Sequence, residues 1–383
     1  MKVYLDNAST TFPKPKIVTD SIYEYLTNIG GNANRSTSSN SLASNKEVLM
    51  ARQKIADFFN FDKIENVIFT NNITTSLNIL IKGILKKGDH VLTSSIEHNS
   101  VIRPLISCKE SIGIDLEFVK ANKNSFINPS DFEAKIKPNT KLIVLTHASN
   151  VTGCIQPIKE IGAICKKYNI FFIIDTAQSA GTVKIDFNEV NASALAFTGH
   201  KSLLGPQGIG GFIISDELNE ACSPFIEGGT GSLSHDIYQP TFLPDKFESG
   251  TLNIPGIVGL SRGIDFINEI GLENIKSHNT NLYKKLVSGL LELGYTVYGD
   301  LSCNNSTTSI SFNLENVDPS ELSFYLDSNG ISNRSGLHCA PKTHETIGTF
   351  PLGSVRLSIS YFNTNEEIEY VLKILSDAKK YFY

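Results

Sequence analysis

Seven short apolar runs, separated by helical patterns, constrain the fold of this 383-residue chain more than any other feature. Several of them are apolar without alternation, as expected of strands that are covered on both faces of a mostly parallel sheet. The sequence therefore predicts an α/β fold with a seven-stranded, mostly parallel sheet. The predicted strands are residues 67–70, 91–94, 116–119, 142–147, 170–175, 194–199 and 210–215.

The last third of the chain has a different pattern, which predicts a smaller α+β domain. A helical stretch near 256–292 is followed by a strand at 307–313 and mixed α and β. The final predicted helix, 365–381, has an apolar stripe, and Thr364 with Glu367 forms a capping-box start. We therefore expect a large domain over 16–250 that includes a helix at 46–59, a small domain over 251–383, and an N-terminal segment, 1–15, associated with the small domain.

Charge and hydropathy exclude several classes of protein. A net charge of −5 without a basic stripe argues against nucleic acid as a partner. No apolar run is long enough to cross a bilayer, so no membrane association is expected. Asp6 stands where a signal peptide would carry its apolar stretch, and we expect a cytoplasmic protein.

The six cysteines give no sign of a metal site or a disulfide framework. They are scattered and include no C-x-x-C pair. Most are expected to be small core side chains. The cysteines are at positions 108, 154, 165, 222, 303 and 339.

Polar residues follow the predicted strands at the ends where an open parallel sheet binds its ligands. Asp175 follows one strand, and an acid is costly to bury there unless a cation or proton donor faces it. A protonated pyridine nitrogen is such a partner. The alternative interpretation of Asp175 is an ordinary helix N-cap.

Lys201 follows the next strand and precedes a glycine-rich loop. A lysine amine attacks aldehydes when it is partly deprotonated, which burial or a nearby cation brings about. An exposed loop lysine is the commoner fate of a single Lys. The combination with Asp175 and the glycines makes that alternative improbable.

Three further segments predict a phosphate and ring site. Asn72, Ile73 and Thr74 lie between a strand and a helix, where free N–H groups and hydroxyls bind anions or merely cap the helix. His98 is a candidate for stacking on a flat cofactor, although a lone His is usually a hydrogen-bonded structural residue. Asn150 is a candidate donor to a phenolate oxygen.

The C-terminal third contributes a cysteine and two arginines. Cys339 lies in the run Arg-Ser-Gly-Leu-His-Cys-Ala-Pro, where neighbouring cations would stabilise a thiolate. Arg356 presents a planar fork suited to a carboxylate. Arg334 is a second candidate anion contact, with an exposed surface Arg as the alternative.

Together these motifs, from the run Tyr-Leu-Asp-Asn-Ala-Ser-Thr at the start of the chain to Arg356, resemble the class V aminotransferase-fold family. Within it they resemble the cysteine desulfurase and selenocysteine lyase branch. The resemblance implies the fold type I of pyridoxal-5′-phosphate (PLP) enzymes, a homodimer, and conversion of L-cysteine to L-alanine. Sulfur would pass to Cys339 as a persulfide and then to an acceptor protein or thiol.

The resemblance also implies a role for each candidate residue. Lys201 matches the Schiff-base lysine, His98 the ring-stacking histidine that relays protons, and Asp175 the partner of the pyridine nitrogen. Arg356 matches the residue that binds the substrate carboxylate, with Arg334 and Arg35 as further candidate substrate contacts. The remaining matches are Asn150 and Gln178 near the phenolate oxygen, Thr74, Ile73, Thr198 and His200 at the phosphate, and Thr251, which in the family comes from the neighbouring subunit.

The cysteine loop and the stretch 30–41 depart from the best-known members. The short loop resembles the group II desulfurases, but Leu337 stands where a second histidine or a similar residue is often found. The stretch 30–41 keeps Arg35 but lacks the histidine usual nearby. These departures leave open whether sulfur or selenium is preferred and which acceptor is used.

Three alternative functions remain open at this point. Selenocysteine lyase is the first, because a selenol leaves readily without a cysteine nucleophile. Transamination or β-elimination of another amino acid is the second, since fold alone does not exclude it. A catalytically idle scaffold that binds a sulfur carrier is the third.

Overall fold

A computed structural model describes residues 1–33 and 38–383 of the chain. In this part of the chain there are thirteen strands and twelve α-helices. The strands are β1 (Val3–Tyr4), β2 (Val67–Thr70), β3 (His90–Ser94), β4 (Asp115–Val119), β5 (Thr140–Thr146), β6 (Phe171–Asp175), β7 (Ala194–Thr198), β8 (Gly210–Ile214), β9 (Thr296–Tyr298), β10 (Ser309–Asn313), β11 (Ile331–Ser332), β12 (Arg334–Gly336) and β13 (Ser354–Ser358). The helices are α1 (Lys16–Glu24), α2 (Ser39–Phe58), α3 (Ile73–Ile84), α4 (Asn99–Ser111), α5 (Pro129–Glu133), α6 (Ile158–Tyr168), α7 (Asp216–Ala221), α8 (Ile254–Ile270), α9 (Leu272–Glu292), α10 (Pro319–Ser328), α11 (Pro341–Ile347) and α12 (Asn365–Phe382).

The seven predicted strands form one sheet, in the order β2-β8-β7-β6-β5-β3-β4. Neighbours from β7 to β4 are parallel, whereas β8 runs antiparallel to both β7 and β2. Every residue of β3, β7 and β8 is buried, because helices cover both faces of the sheet. The predicted mostly parallel seven-stranded sheet and the α/β class are confirmed.

The predicted helices differ from the observed ones mainly at their ends. α2 begins at Ser39, well before the predicted start at 46, because the Ser38 hydroxyl caps it by accepting from the Ser41 N–H. The predicted stretch 256–292 is two helices, since Gly271 interrupts it with φ +86°. The capping box of α12, Thr364 with Glu367, is confirmed. None of the helices formed by residues 1–33 and 38–383 is long and apolar enough to cross a membrane.

The four-stranded sheet has a hydrophobic core that is separate from those on the two faces of the seven-stranded sheet. The small sheet, β12-β13-β10-β9, is antiparallel and shares a core with α9 and α12. β1 pairs with β11, so the N-terminal segment lies against these C-terminal elements. The apolar face of α8, in contrast, lies in the core of the large sheet with α1 and α2. Although α8 follows residue 250, it packs on the large sheet. Hydropathy indicates that one face of this helix is buried but does not indicate which element covers it.

Candidate active site

The carboxyl ends of four neighbouring parallel strands form the floor of the site. β7, β6, β5 and β3 are adjacent in the sheet, and their last residues lie at one edge. In this order across the sheet, Lys201 follows β7, Asp175 is the last residue of β6, Asn150 follows β5 and His98 follows β3. Four candidates from separate parts of the sequence are thus brought to one edge, as the strand-end argument predicts.

Lys201 and Asp175 form the charged centre of this edge. Asp175 is buried, and burial raises the pKa of its carboxyl, while the Ala177 N–H donates to its Oδ1 at 2.9 Å and Lys201 acts in the opposite direction. Lys201 is partly buried, and this burial lowers the pKa of its amine to about 8. The charge of Asp175 opposes the shift, and that of Arg356 adds to it. A substantial neutral fraction of the amine near neutral pH is what nucleophilic attack on an aldehyde requires.

His98 is held as a neutral ring at the start of α4. The Ser100 N–H donates to its Nδ1 at 3.1 Å, so the ring proton is on Nε2. Burial lowers the pKa of His98 to about 3, and the positive charges of Lys201 and Arg334 act in the same direction. A neutral ring that is fixed by its own backbone is suited to stacking on a flat cofactor.

Two buried polar atoms beside Lys201 lack a partner, which fits a bound phosphate. Thr198 Oγ1 and His200 Nδ1 have no hydrogen-bond partner among the described residues. Thr70 and Thr198 both pair with Gly210, so the start of α3, with Ile73 buried and Thr74 exposed, follows a strand two places away. A buried hydroxyl without a partner is costly, and an anion would accept its proton.

Asn150 and Gln178 connect this edge to the rest of the chain. The Asn150 side-chain amide donates to the His338 carbonyl at 2.7 Å, and its backbone carbonyl accepts from Arg356 Nη1 at 2.9 Å. The Gln178 amide donates to the Ala8 carbonyl at 3.1 Å. The Asn150 amide is therefore committed in part to the cysteine loop, a contact that the sequence does not indicate.

Arg356 and Arg334 meet at Ser9, near the start of the chain. Arg356 is buried, and its Nη2 donates to Asp6 Oδ1 and to Ser9 Oγ, both at 2.9 Å. Arg334 Nη1 donates to the same hydroxyl at 3.2 Å. Nε of Arg356 is buried without a partner in the described part of the chain. The two arginines thus form a cationic wall in which the Nε–H of Arg356 is a donor without a partner among the described residues.

Cys339 is exposed at the edge of this wall, whereas the five other cysteines are buried. Arg334 Nη2 lies 3.8 Å from its Sγ. The Cys339 carbonyl accepts from the Asn99 N–H at 2.8 Å, directly beside His98. The loop that carries the cysteine is therefore bound to the same elements that carry the candidate cofactor residues.

Two candidates are not joined to this site by the structure. Thr251 is exposed and lines a cleft with Asn71 and Thr75, and it forms no hydrogen bond to Thr198 or His200. Arg35 lies outside the described residues. Among residues 1–33 and 38–383 no group of His, Cys, Asp and Glu is arranged to hold a metal ion.

Sequence reasoning missed several residues of the site. Glu97 is fully buried with both carboxyl oxygens accepting from the Thr146 N–H, and burial raises its pKa to about 8. His344 contacts the histidine that precedes Cys339. The adjacency of Glu97 to His98 is a local signal that was present in the sequence, whereas His344 has none.

The chain matches known proteins over nearly its whole length. The model of the family "Aminotransferase class-V" matches residues 3–371. A probable cysteine desulfurase of Methanothermobacter thermautotrophicus is 37% identical, covering 98% of this chain and 94% of that protein. A cysteine desulfurase of Haloferax volcanii is 28% identical over 99% and 90%. The apo structure of the cysteine desulfurase of Thermococcus onnurineus superimposes with a TM-score of 0.94 at 34% identity, covering 99% and 95%.

Proposed function

Because the chain belongs to the class V aminotransferase family, whose members use PLP, we propose that it is a PLP-dependent cysteine desulfurase. It converts L-cysteine to L-alanine and passes the sulfur through Cys339 to an acceptor thiol. The observation that carries the proposal is the attachment of the cysteine loop, through Asn99 and Asn150, to the ends of β3 and β5, which lie beside the strand ends that bear Asp175 and Lys201. A transaminase has no use for a thiol at this place.

The residues at the strand ends fit the cofactor. Asp175 would face the pyridine nitrogen, His98 the ring, and Asn150 and Gln178 the phenolate side. Thr198, His200 and the start of α3 at Ile73 and Thr74 would hold the phosphate, whose oxygens would accept hydrogen bonds from the two partnerless atoms. When bound, the cofactor withdraws electrons from the substrate Cα.

The chain's own residues supply binding, proton transfer and the nucleophile. Arg356 holds the substrate carboxylate, and Lys201, with its lowered pKa, takes the Cα proton and returns a proton to complete alanine. The Cys339 thiolate attacks the substrate sulfur, so an S–S bond forms as the bond between Cβ and sulfur breaks. The electron pair of the broken bond stays on carbon, where protonation of Cβ and then of Cα gives alanine. An acceptor thiol then collects the outer sulfur by thiol exchange.

Mass spectrometry of Cys339 after one turnover with cysteine tests the proposal. We expect a persulfide on Cys339 and one alanine per persulfide. Cys339→Ala should bind PLP but lose sulfur transfer. Cys303→Ala is the matched control, because Cys303 and Cys339 share φ of 57° and the substitution changes the backbone equally. Sulfide production by Cys339→Ala at the wild-type rate would contradict the proposal.

The same assay with selenocysteine separates the lyase alternative. Selenocysteine lyase activity predicts alanine release from selenocysteine that does not need Cys339, together with slow release from cysteine. A desulfurase predicts that Cys339 is needed for cysteine in particular. Comparing both amino acids in wild type and Cys339→Ala decides between the two outcomes.

The proposal includes a homodimer in which Thr251 acts across the subunit interface. Support comes from the exposed Thr251 and from the nearby segment 225–242, where Ile237 is 90% and Tyr238 76% exposed. Mixing Thr251→Ala with Lys201→Met subunits provides the test. Residues acting across the interface would give one intact site per mixed dimer and restore activity, whereas residues acting within one subunit would leave the mixture as inactive as its components.

A further inference from the structure

A buried chain of two histidines and a threonine lies behind the cysteine loop. Thr349 Oγ1 is 2.7 Å from His344 Nδ1, and His344 Nε2 is 3.2 Å from His338 Nδ1. His338 Nε2 is 3.3 Å from the Arg334 carbonyl oxygen. His338 is 3% and His344 0% exposed, so water does not compete for these hydrogen bonds. These hydrogen bonds connect the end of α11 to His338, the residue that precedes Cys339.

The Arg334 carbonyl, at one end of this row of hydrogen bonds, fixes the proton positions on both histidines. The Arg334 carbonyl can only accept, so His338 Nε2 carries a proton and donates to it. His338 Nδ1 is then bare and accepts from His344 Nε2–H. His344 Nδ1 accepts in turn from the Thr349 hydroxyl. With both rings neutral, only this arrangement satisfies every ring nitrogen.

The charges around the two rings keep them neutral. Burial lowers the pKa of His338 well below its ordinary value, and Arg356, His344 and Arg334 act in the same direction. Burial and Arg356 lower the pKa of His344 to about 4. A second proton on either ring would place two donors against each other and break the chain. The hydrogen bonds are therefore intact throughout the neutral pH range.

The hydrogen bonds of His338 and His344 hold a backbone conformation at the cysteine loop that is unfavourable by itself. His338 has φ of 48° and Cys339 φ of 57°, and the left-handed region costs about 1–2 kcal/mol for each such residue. The carbonyls of both residues accept hydrogen bonds, from the Asn150 amide at 2.7 Å and the Asn99 N–H at 2.8 Å. The imidazole of His338 is the one side chain of this pair that is anchored in the protein interior, since Cys339 is exposed.

We propose that His344 and Thr349 are positioning residues for the Cys339 nucleophile and act through His338. Within the described part of the chain, neither residue forms a side-chain hydrogen bond to a candidate cofactor or substrate residue. Their hydrogen bonds orient the His338 ring, and the ring holds the left-handed turn that presents Sγ of Cys339 beside Arg334. The inference rests on the proposed function of Cys339 as the sulfur acceptor.

The test uses PLP-loaded protein with His344→Leu and His344→Gln. Leu removes the donor to His338 and the acceptor for Thr349, whereas the Gln amide offers both. We expect Leu to lower the rate of Cys339 persulfide formation about ten- to a hundredfold, because a misplaced nucleophile reacts slowly. Gln should recover most of that loss. Cysteine binding, measured by the change in cofactor absorbance, should stay within about twofold of wild type, so kcat falls while KM does not.

Two further variants keep the result interpretable. His278→Leu is the matched control, because His278 contacts the Asn363 carbonyl at 3.0 Å and no residue of the loop. Thr349→Val removes only the terminal hydroxyl and should lower the same rate several-fold; it decides the question if His344→Leu does not fold. Alkylation of Cys339 by iodoacetamide reports the position of the thiol in each variant without any turnover.

Three outcomes would overturn the inference. They are persulfide formation at the wild-type rate in both His344→Leu and Thr349→Val, a Gln variant no better than Leu, and equal losses of cysteine binding and sulfur transfer. Cys339→Ala is assayed in parallel. If it still transfers sulfur, the proposed function itself is wrong. If Cys339 is required while the His344 variants behave as wild type, only the positioning role is wrong.

Discussion

The two halves of the site differ in how the polar side chains next to Lys201 and next to Cys339 are hydrogen-bonded. In the sheet half, formed by the ends of β3, β5, β6 and β7, the buried atoms Thr198 Oγ1 and His200 Nδ1 lack partners within the described residues. In the loop half, formed by β12, the cysteine loop and α11, all four ring nitrogens of His338 and His344 have partners, whereas the buried Thr343 Oγ1 in α11 has none among the described residues.

The difference indicates two tasks. Buried polar atoms without partners lower the stability of the folded protein, and a bound ligand that accepts their hydrogen bonds restores it. This suits a resident cofactor. A loop whose hydrogen bonds are internal holds its own strained backbone and needs no ligand to do so. Substitutions in the sheet half should therefore change ligand binding, and those in the loop half the rate of sulfur transfer.

The largest expected effect is that of Lys201→Met in the sheet half. Because this variant lacks both the amine that binds the cofactor and the proton carrier, alanine formation should fall at least about 10³-fold. The visible absorbance of the lysine-bound cofactor should be absent. The control is Lys246→Met, because Lys246 is a buried lysine outside the site whose pKa is also lowered by burial. A Lys201→Met protein that keeps the absorbance band would place the cofactor on another lysine.

Thr198→Val should have opposite effects on the free and the loaded protein. Without cofactor the variant should be as stable as wild type or more so, because the lost hydroxyl has no partner among the described residues. PLP should bind about tenfold more weakly, since one charge-assisted hydrogen bond of about 1.5 kcal/mol is missing. Denaturant unfolding and cofactor titration measure the two effects.

Thr176→Val is the matched control for this experiment. The Thr176 hydroxyl is also buried but donates to the Ala196 carbonyl at 2.8 Å. Its loss should destabilise the free protein by about 1 kcal/mol and leave PLP affinity unchanged. Equal behaviour of the two threonine variants would remove the distinction between partnered and ligand-directed polar groups.

Glu97→Gln gives a pH-dependent change in the sheet half. Burial raises the pKa of Glu97 from 4.5 to about 8, so between these values the folded protein holds a proton that the unfolded chain releases. The stability contributed by Glu97 is therefore full below pH 4.5 and is lost as pH rises through 8. Glutamine does not titrate, so Glu97→Gln should become more stable relative to wild type across this window.

Unfolding of the cofactor-free proteins in urea from pH 5 to 9 measures this trend. Asp175 and Lys201 titrate in both proteins, so their contributions cancel in the difference. Glu133→Gln is a suitable control, because the Glu133 carboxyl binds Lys167 near the surface and has its pKa lowered. A constant difference between Glu97→Gln and wild type would mean that Glu97 is ionised at every pH tested.

The smallest expected effect is that of Ser9→Ala beside the loop half. The Ser9 hydroxyl accepts from both Arg334 and Arg356, and hydrogen bonds to charged groups contribute about 1.5–3 kcal/mol at most when buried. Because Asp6 still binds Arg356, we expect a several-fold rise in KM for cysteine with little change in kcat. A fall in kcat instead would assign Ser9 to the positioning of Cys339.

The sequence by itself determined which residues stand at the strand ends. Unbroken apolar runs specify buried parallel strands, and Asp175, Asn150, His98 and Lys201 each follow such a run closely. Their convergence needs only the local position of each residue and the rule that parallel strands end at one edge. The place of these four residues in the sheet half was therefore predictable, whereas the candidate phosphate contacts stay predictions.

Only the tertiary structure decided how the loop half is held. The Asn150 amide meets the His338 carbonyl 188 residues away, and Arg356 meets Asp6 350 residues away. The packing of α8 on the large sheet and the proton order of the histidine chain have the same origin. Periodicity indicates that a face is buried, but which partner covers it depends on how whole elements pack. That packing also sets the donor–acceptor distances, which must be right to within a few tenths of an ångström for a hydrogen bond to form.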